Sequence, residues 1–135
     1  MDRLSPERRS WLMSRVRGKD TTPEMRVRRA VFALGFRYRL HRRDLPGTPD
    51  LCFPGKMIAI FVHGCFWHRH EGCRKASIPK SRPEYWNRKF AANVERDNRI
   101  SVALAEKGWT VHVIWECQTK DDTQLREHLK RVLTD

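Results

Sequence analysis

The run Met57-Ile58-Ala59-Ile60-Phe61-Val62 is the strongest single constraint on what this chain can fold into. Six successive apolar residues leave no polar face, so a strand here must be covered on both sides, as a central strand is in a layered α/β domain. Pro54-Gly55-Lys56 immediately before it is a tight-turn sequence, and 50–53 reads as the other arm of a hairpin. The covering layers come from helical patterns elsewhere. Thr22-Pro23-Glu24 combines an N-cap, a proline at the first helical position and an early acid, and the helix it starts ends at Gly35. Ser5-Pro6-Glu7 repeats the signal for a basic helix to Arg17, broken at Gly18. A long helix is predicted over 83–107, stopped by Gly108, and a closing amphipathic helix over 121–133. Strands are predicted over 36–41 and 109–115, with a turn over 45–49 and an irregular loop over 64–80. The order is α-α-β-β-β-α-β-α. At 135 residues, without repeat or linker, the chain has the size of one domain.

The charge is uneven. Lys and Arg number 28 against 16 Asp and Glu, and residues 1–43 alone carry 13 of the former against 4 of the latter. Basic residues interspersed with five Trp and six Phe suit a polyphosphate partner, because cations release condensed counterions and aromatic faces stack on or wedge between bases. Nucleic acid is the leading partner; a merely solubilising basic surface is the plain alternative. No apolar run approaches the ~20 residues of a bilayer span, and the start Met1-Asp2-Arg3 leads into no signal-peptide core. A cytoplasmic protein is expected.

Two constellations carry chemistry. Cys65, His70 and Cys73 lie in the irregular loop, and Cys117 follows the last strand. Thiolate and imidazole donors suit tetrahedral Zn²⁺, and a loop poor in apolar residues gains order from a metal that ties it to a strand end. Free thiols, or a Cys73–Cys117 disulfide, are the alternatives. Cys52, between Leu51 and Phe53, reads as a small core hydrophobe outside the site. His63 and His68 compete for the metal or serve catalysis.

The second constellation is Asp50 at the start of one hairpin strand and His63 at the end of the other, with His68 just beyond and Glu24 on the preceding helix. The hairpin makes Asp50 and His63 neighbours at one sheet edge. A carboxylate there can hold Mg²⁺, which polarises a phosphodiester and lowers the pKa of bound water, while a neutral imidazole accepts a proton. Each residue alone has a plain structural reading: Glu24 favours the helix dipole, and Asp50 opens a strand. The conjunction points to a phosphodiesterase.

The stretch His63-Gly64-Cys65-Phe66-Trp67-His68 resembles the very short patch repair (Vsr) DNA mismatch endonucleases. The likeness continues in Leu45-Pro46-Gly47-Thr48-Pro49-Asp50, in Tyr85-Trp86, in Asn93-Val94-Glu95-Arg96-Asp97, and in Gly108-Trp109 followed by Val113-Ile114-Trp115-Glu116-Cys117, spanning roughly 8–118. The resemblance implies a restriction-endonuclease-like α/β core: a mixed central sheet flanked by helices, with a structural zinc site. It implies an enzyme that nicks one strand 5′ to the thymine of a T:G mismatch, the product of 5-methylcytosine deamination. On this reading 1–20 is a basic arm, 21–118 the nuclease core and 119–135 a closing helix. Asp50 and the main-chain oxygen of Val62 then bind magnesium, His63 and Glu24 order its water shell, and His68 handles the attacking water or the scissile phosphate. Val62 stands where a member of that family has threonine, a change that a main-chain ligand tolerates. Phe66, Trp67 and Trp86 become wedges beside the weakly stacked T:G pair, Lys89 and Asn93 lie near its bases, and Met13 enters from the opposite groove. Without the family, the spacing of Trp86, Lys89 and Asn93 is better read as a core tryptophan beside two solvated residues.

The resemblance implies duplex DNA carrying a T:G mismatch as substrate, mismatch-repair proteins and a repair polymerase as partners, a nucleoid-associated setting and a monomer. A zinc-stabilised module that binds distorted duplex without cutting, and a restriction-type nuclease at matched sites, are the competing functions.

Overall fold

A computed structural model describes residues 21–134 apart from positions 75 and 78. The anticipated first helix over 5–17 and Met13 lie outside the described residues. Within them the elements are α1 (Thr22–Ala33), β1 (Arg39–Leu40), β2 (Leu51–Phe53), β3 (Ile58–His63), α2 (Pro83–Glu106), β4 (Thr110–Trp115), a short 3-10 turn (Glu116–Thr119) and α3 (Asp122–Thr134). The protein is mixed α/β: a four-stranded sheet in the order β1-β2-β3-β4, antiparallel except for the parallel β3–β4 pair.

The apolar run behaves as its composition requires. Ile58 and Ile60 of β3 face one way, with Leu51 and Phe53 of β2 and Ile114 of β4, into a core completed by Val27, Ala30 and Val31 of α1 and Leu125, Leu129 and Leu133 of α3. Ala59 and Phe61 face the other way, with Cys52, against Leu104 of α2 and Trp109. Alternation puts successive side chains on opposite faces, so a strand with a helical layer on each side has to be apolar throughout. Cys52 is fully buried in the second core, the hydrophobe its flanks suggested.

Three boundaries differ from the sequence reading. The strand expected over 36–41 shrinks to Arg39–Leu40, because β2 offers it only Cys52 and Leu51 as partners and Phe36 and Tyr38 pack against the first core instead. Met57 belongs to the turn rather than to β3, with φ of 55°. Cys117 sits in a 3-10 turn that no sequence signal marked.

Two glycines position the site. Gly108, at φ 87°, ends α2 and feeds the chain into β4. Gly47, at φ 72°, lets the 45–49 turn pass directly under α2; a Cβ there would lie 2.5 Å from the Ile100 side chain. That close approach carries Asp50 to the floor of the cleft between α1 and α2.

Candidate active site and metal centre

The cleft, about 900 Å³ in volume, opens beyond the carboxyl end of β3 and is lined by Glu24, Asp50, Val62, His63, His68, Lys89, Asn93 and Asp97 among others. Its walls follow from local structure. Thr21 caps α1, its hydroxyl accepting from the Glu24 main-chain N–H at 3.4 Å, which sets Glu24 in the first turn at the cleft. On α2, Trp86, Phe90, Asn93, Asp97, Ile100 and Leu104 share the inward stripe at three- and four-residue spacing. The stripe is polar only in its middle, where it passes over the cleft.

Asp50 lies at the floor. Its Oδ2 accepts from the Val62 main-chain N–H at 2.7 Å. Glu24 is only 1% exposed, far from the surface position of an acid that merely serves the helix dipole. It pairs with Arg28 one turn on, and its Oε2 lies 3.1 Å from His41 Nε2. The same His41 nitrogen is 3.9 Å from Asp50 Oδ1. Burial, opposed by the Val62 N–H and reinforced by the Glu24 carboxylate, pushes the Asp50 carboxyl up to about 7. Two largely buried carboxylates brought this close call for a proton or a cation between them. The donor set fits a divalent cation: one ligand atom each from Glu24, His41 and Asp50 lies within 4.8 Å of the other two.

His63, His68 and Asp97 form the adjoining wall, with ligand atoms equally close. The two imidazoles stack with ring centroids 3.8 Å apart and planes 7° from parallel. Desolvation, with the His68 charge adding to it, lowers His63 to about 4, so its ring is neutral at physiological pH. His68 Nδ1 lies 2.6 Å from Asp97 Oδ2. With Nδ1–H donating to the carboxylate, Nε2 is left as the acceptor.

The sequence reading made Asp50 and His63 neighbours at one sheet edge; the structure brings both to one cleft and shows what holds each. β2 and β3 are the central strands, and their register sets Leu51 against Ile60, so that Asp50 falls opposite Phe61 and bonds to Val62. His63, two places further on, stacks on His68 instead. All of Glu24, Asp50, His63 and His68 line one cleft, but as two groups, each completed by a residue the sequence reading had not assigned: His41 in the first and Asp97 in the second. Asp97 had a signal, a carboxylate on the inward stripe of a helix. His41 had none, since its proximity to Glu24 arises only from packing.

Cys65, His70, Cys73 and Cys117 come together as anticipated, their ligand atoms all within 4.8 Å of one another. His70 Nδ1 is 3.6 Å from Cys65 Sγ and 3.4 Å from Cys117 Sγ. The three cysteines stand as free thiols, so the Cys73–Cys117 disulfide is not formed. The His70 ring stacks on Trp115 at 4.3 Å, which aims Nδ1 at the sulfurs. Burial pushes the Cys65 thiol up to about 12, a cost that a bound cation reverses by stabilising thiolate. This cluster can hold a metal ion, and it ties the 64–80 loop to the end of β4.

Next to that loop, Phe66 meets Trp67 at 5.3 Å, Trp86 at 6.0 Å and Phe90 at 5.1 Å between ring centroids. Trp86 is 4% exposed, the core packing that its spacing alone also allowed, while Phe66 and Trp67 are half-buried at the cleft. Lys89 and Asn93 are not simply solvated. The Lys89 ammonium lies 5.2 Å from the Trp67 ring centroid, and the Asn93 amide donates to the Trp67 carbonyl at 3.2 Å.

These features define an α/β protein whose cleft joins carboxylates to imidazoles beneath cationic and aromatic groups. The family model of DNA mismatch endonuclease Vsr matches residues 1–75. The chain is 53% identical to the type II nicking enzyme V.XorIIP of Xanthomonas oryzae, over 98% of this chain and 96% of that one. It is 37% identical to the type II nicking enzyme V.NmeAIP of Neisseria meningitidis, over 99% and 95% of the two chains. It is also 37% identical to the DNA mismatch endonuclease Vsr of Escherichia coli, over 88% of this chain and 76% of that one. The chain belongs to the Vsr family. It is a DNA endonuclease, and among the described residues no helix is long and apolar enough to cross a membrane.

Proposed function

We propose that this endonuclease is Mg²⁺-dependent and nicks one strand of duplex DNA 5′ to the thymine of a T:G mismatch, opening very short patch repair of deaminated 5-methylcytosine. The observation that carries the reading is the meeting, in one cleft, of the Asp50–Glu24 carboxylate pair and the His68–Asp97 pair. A relative bearing the name DNA mismatch endonuclease supports the substrate.

Asp50 and the main-chain oxygen of Val62 would hold magnesium, with Glu24 and His63 ordering its water shell. When bound, the ion polarises the phosphodiester and acidifies water. The protein's own groups do the rest. His68, held by Asp97 with Nε2 free, takes the proton of the attacking water as its oxygen bonds to phosphorus and the bond to the leaving sugar oxygen breaks, that oxygen taking up a proton from solvent water to leave as a hydroxyl. His63, neutral, serves as a hydrogen-bonding partner and adds no positive charge to the phosphate.

Zinc at Cys65, His70, Cys73 and Cys117 would be structural, since four protein ligands close a tetrahedral site. It fixes the loop that presents Phe66 and Trp67. These two, backed by Trp86, wedge beside the mismatch, where poor stacking lowers the cost of insertion. Lys89 and Asn93 approach the mispaired bases, and Met13 enters from the other groove. The chain works as one restriction-endonuclease-like domain, with a basic arm over 1–20, a core over 21–118 and a closing helix over 119–135. It acts as a monomer on the bacterial nucleoid, handing its nick to mismatch-repair proteins and a repair polymerase.

The test compares nicking of T:G and C:G duplexes of identical flanking sequence with Mg²⁺. Preferential cutting of the T:G strand is expected; equal rates overturn mismatch specificity and leave a matched-site nuclease. Mismatch binding without any cutting leaves the zinc-stabilised binding module.

A further inference from the structure

We infer that Arg69 is a specificity-determining positioning residue: its guanidinium fixes Phe66, and Trp67 after it, at the angle from which this pair enters a mismatched duplex. The inference rests on the wedge reading above and names the side chain that holds the wedge.

Arg69 adopts a left-handed backbone, φ 55°, which an arginine rarely takes. That conformation turns the chain between two histidines with separate duties. His68 reaches Asp97 in the cleft, His70 turns its Nδ1 to the Cys65 and Cys117 sulfurs, and the Arg69 side chain goes to neither but lies against α2. Its guanidinium carbon is 4.0 Å from the Phe90 ring centroid and 5.8 Å from that of Phe66. Nη1 donates to the Phe66 carbonyl at 3.3 Å and to the Ser77 carbonyl at 3.0 Å, and Nη2 donates to the Ala76 carbonyl. One side chain thus ties the start of the 64–80 loop to its return.

The thiol and imidazole cluster does not reach this far. Its last donor within the loop is Cys73, and Ala76 and Ser77 lie beyond it. Consecutive carbonyls of the wedge pair are each taken by a side chain, that of Phe66 by Arg69 and that of Trp67 by Asn93 at 3.2 Å. Phe66 is therefore held at its main chain by the guanidinium and at its ring by Phe90, whose centroid is 5.1 Å away and which is itself buried. A planar guanidinium stacks on a ring and donates to carbonyls around its rim in the same pose, which an ammonium does not. A wedge held in place before DNA arrives loses little entropy on binding, so the fixing of Phe66 and Trp67 bears on affinity for the mismatch.

The test uses the full-length, zinc-loaded protein. Arg69→Gly removes the side chain and accepts φ 55° without strain, while Arg69→Lys keeps the charge but not the fork. In both, the ratio of T:G to C:G nicking should fall by about tenfold, the loss lying in KM for the T:G duplex rather than in kcat. Zinc content should stay at the wild-type level. Fluorine NMR of protein carrying 5-fluorotryptophan, without DNA, should show the Trp67 resonance, assigned by its absence in Trp67→Phe, shifted or broadened in each variant. An unmoved Trp67 resonance, or wild-type discrimination in Arg69→Lys, overturns the proposal. Loss of zinc or of folding in Arg69→Lys overturns it too, because the arginine then serves the loop's fold and not the wedge; should Arg69→Gly fail to fold, Arg69→Lys decides alone. A wild type that nicks T:G and C:G duplexes alike defeats the mismatch reading instead, and the fluorine spectrum still decides whether Arg69 positions Trp67.

Discussion

His68 Nδ1 and Asp97 Oδ2 meet at 2.6 Å across a separation of 29 residues, joining the 64–80 loop to the middle of α2. The carboxylate settles which imidazole nitrogen is free, and a group that settles a tautomer leaves ground-state binding largely alone. Asp97→Asn is therefore expected to lower single-turnover nicking of a T:G duplex by about 10²- to 10⁴-fold while affinity for the same duplex stays near wild type. Undiminished nicking would remove the dyad from the mechanism.

The two perturbed groups of the cleft pull stability in opposite directions with pH. His63 is lowered from 6.5 to about 4, so between those values the unfolded chain binds more protons and stability rises with pH. Asp50 is raised from 3.8 to about 7, so across that window the folded chain holds a proton the unfolded one releases, and stability falls as pH rises. In Mg²⁺-free buffer the wild type should show a nearly flat profile between about pH 4 and 6.5. Asp50→Asn removes the falling component and keeps an acceptor for the Val62 N–H. That variant should be inactive yet more stable near neutral pH by about 2 to 4 kcal/mol in denaturant titrations. A variant no more stable than wild type would refute the burial argument.

Trp67 and Trp86 touch each other but should fail differently when truncated. Trp86 is buried, and Trp86→Ala should cost about 3 to 5 kcal/mol of stability. Trp67 is half-buried at the cleft, and Trp67→Ala should cost less in stability and more in discrimination, shrinking the T:G to C:G nicking ratio by about 10-fold or more. Unfolding curves and paired nicking assays on both variants separate the roles.

Metal analysis should find one zinc per chain. Cys65→Ala should lose it together with the shape of the 64–80 loop, lowering the melting temperature. Cys52→Ala should keep full zinc content, because Cys52 lies in the second core away from the cluster. Zinc loss in the Cys52 variant, or zinc absent from protein purified without chelator, would contradict the assignment.

Much of this architecture was legible because it is written in local pattern. An apolar run without a polar face demanded cover on both sides, and Thr22-Pro23-Glu24 marked a helix start whatever packed around it, although the cap itself is Thr21. The thiol and imidazole set was legible from donor type alone. The extent of β1 was not, since a strand is as long as its partner permits, and β2 pairs it at only two positions. Nor was the burial of Trp86, because a periodic tryptophan reads the same against a core or against a ligand.

The chain by itself determined which side chains can do chemistry here and which elements carry them. Only the tertiary structure decided which of them meet. Asp50 turned to Val62 and Glu24, His63 to His68, and His41 and Asp97 completed the two groups. The reason is geometric: a strand's register and the crossing of a helix over a sheet are set by the packing of whole faces, and that packing brings together residues whose separation along the chain carries no periodic signal.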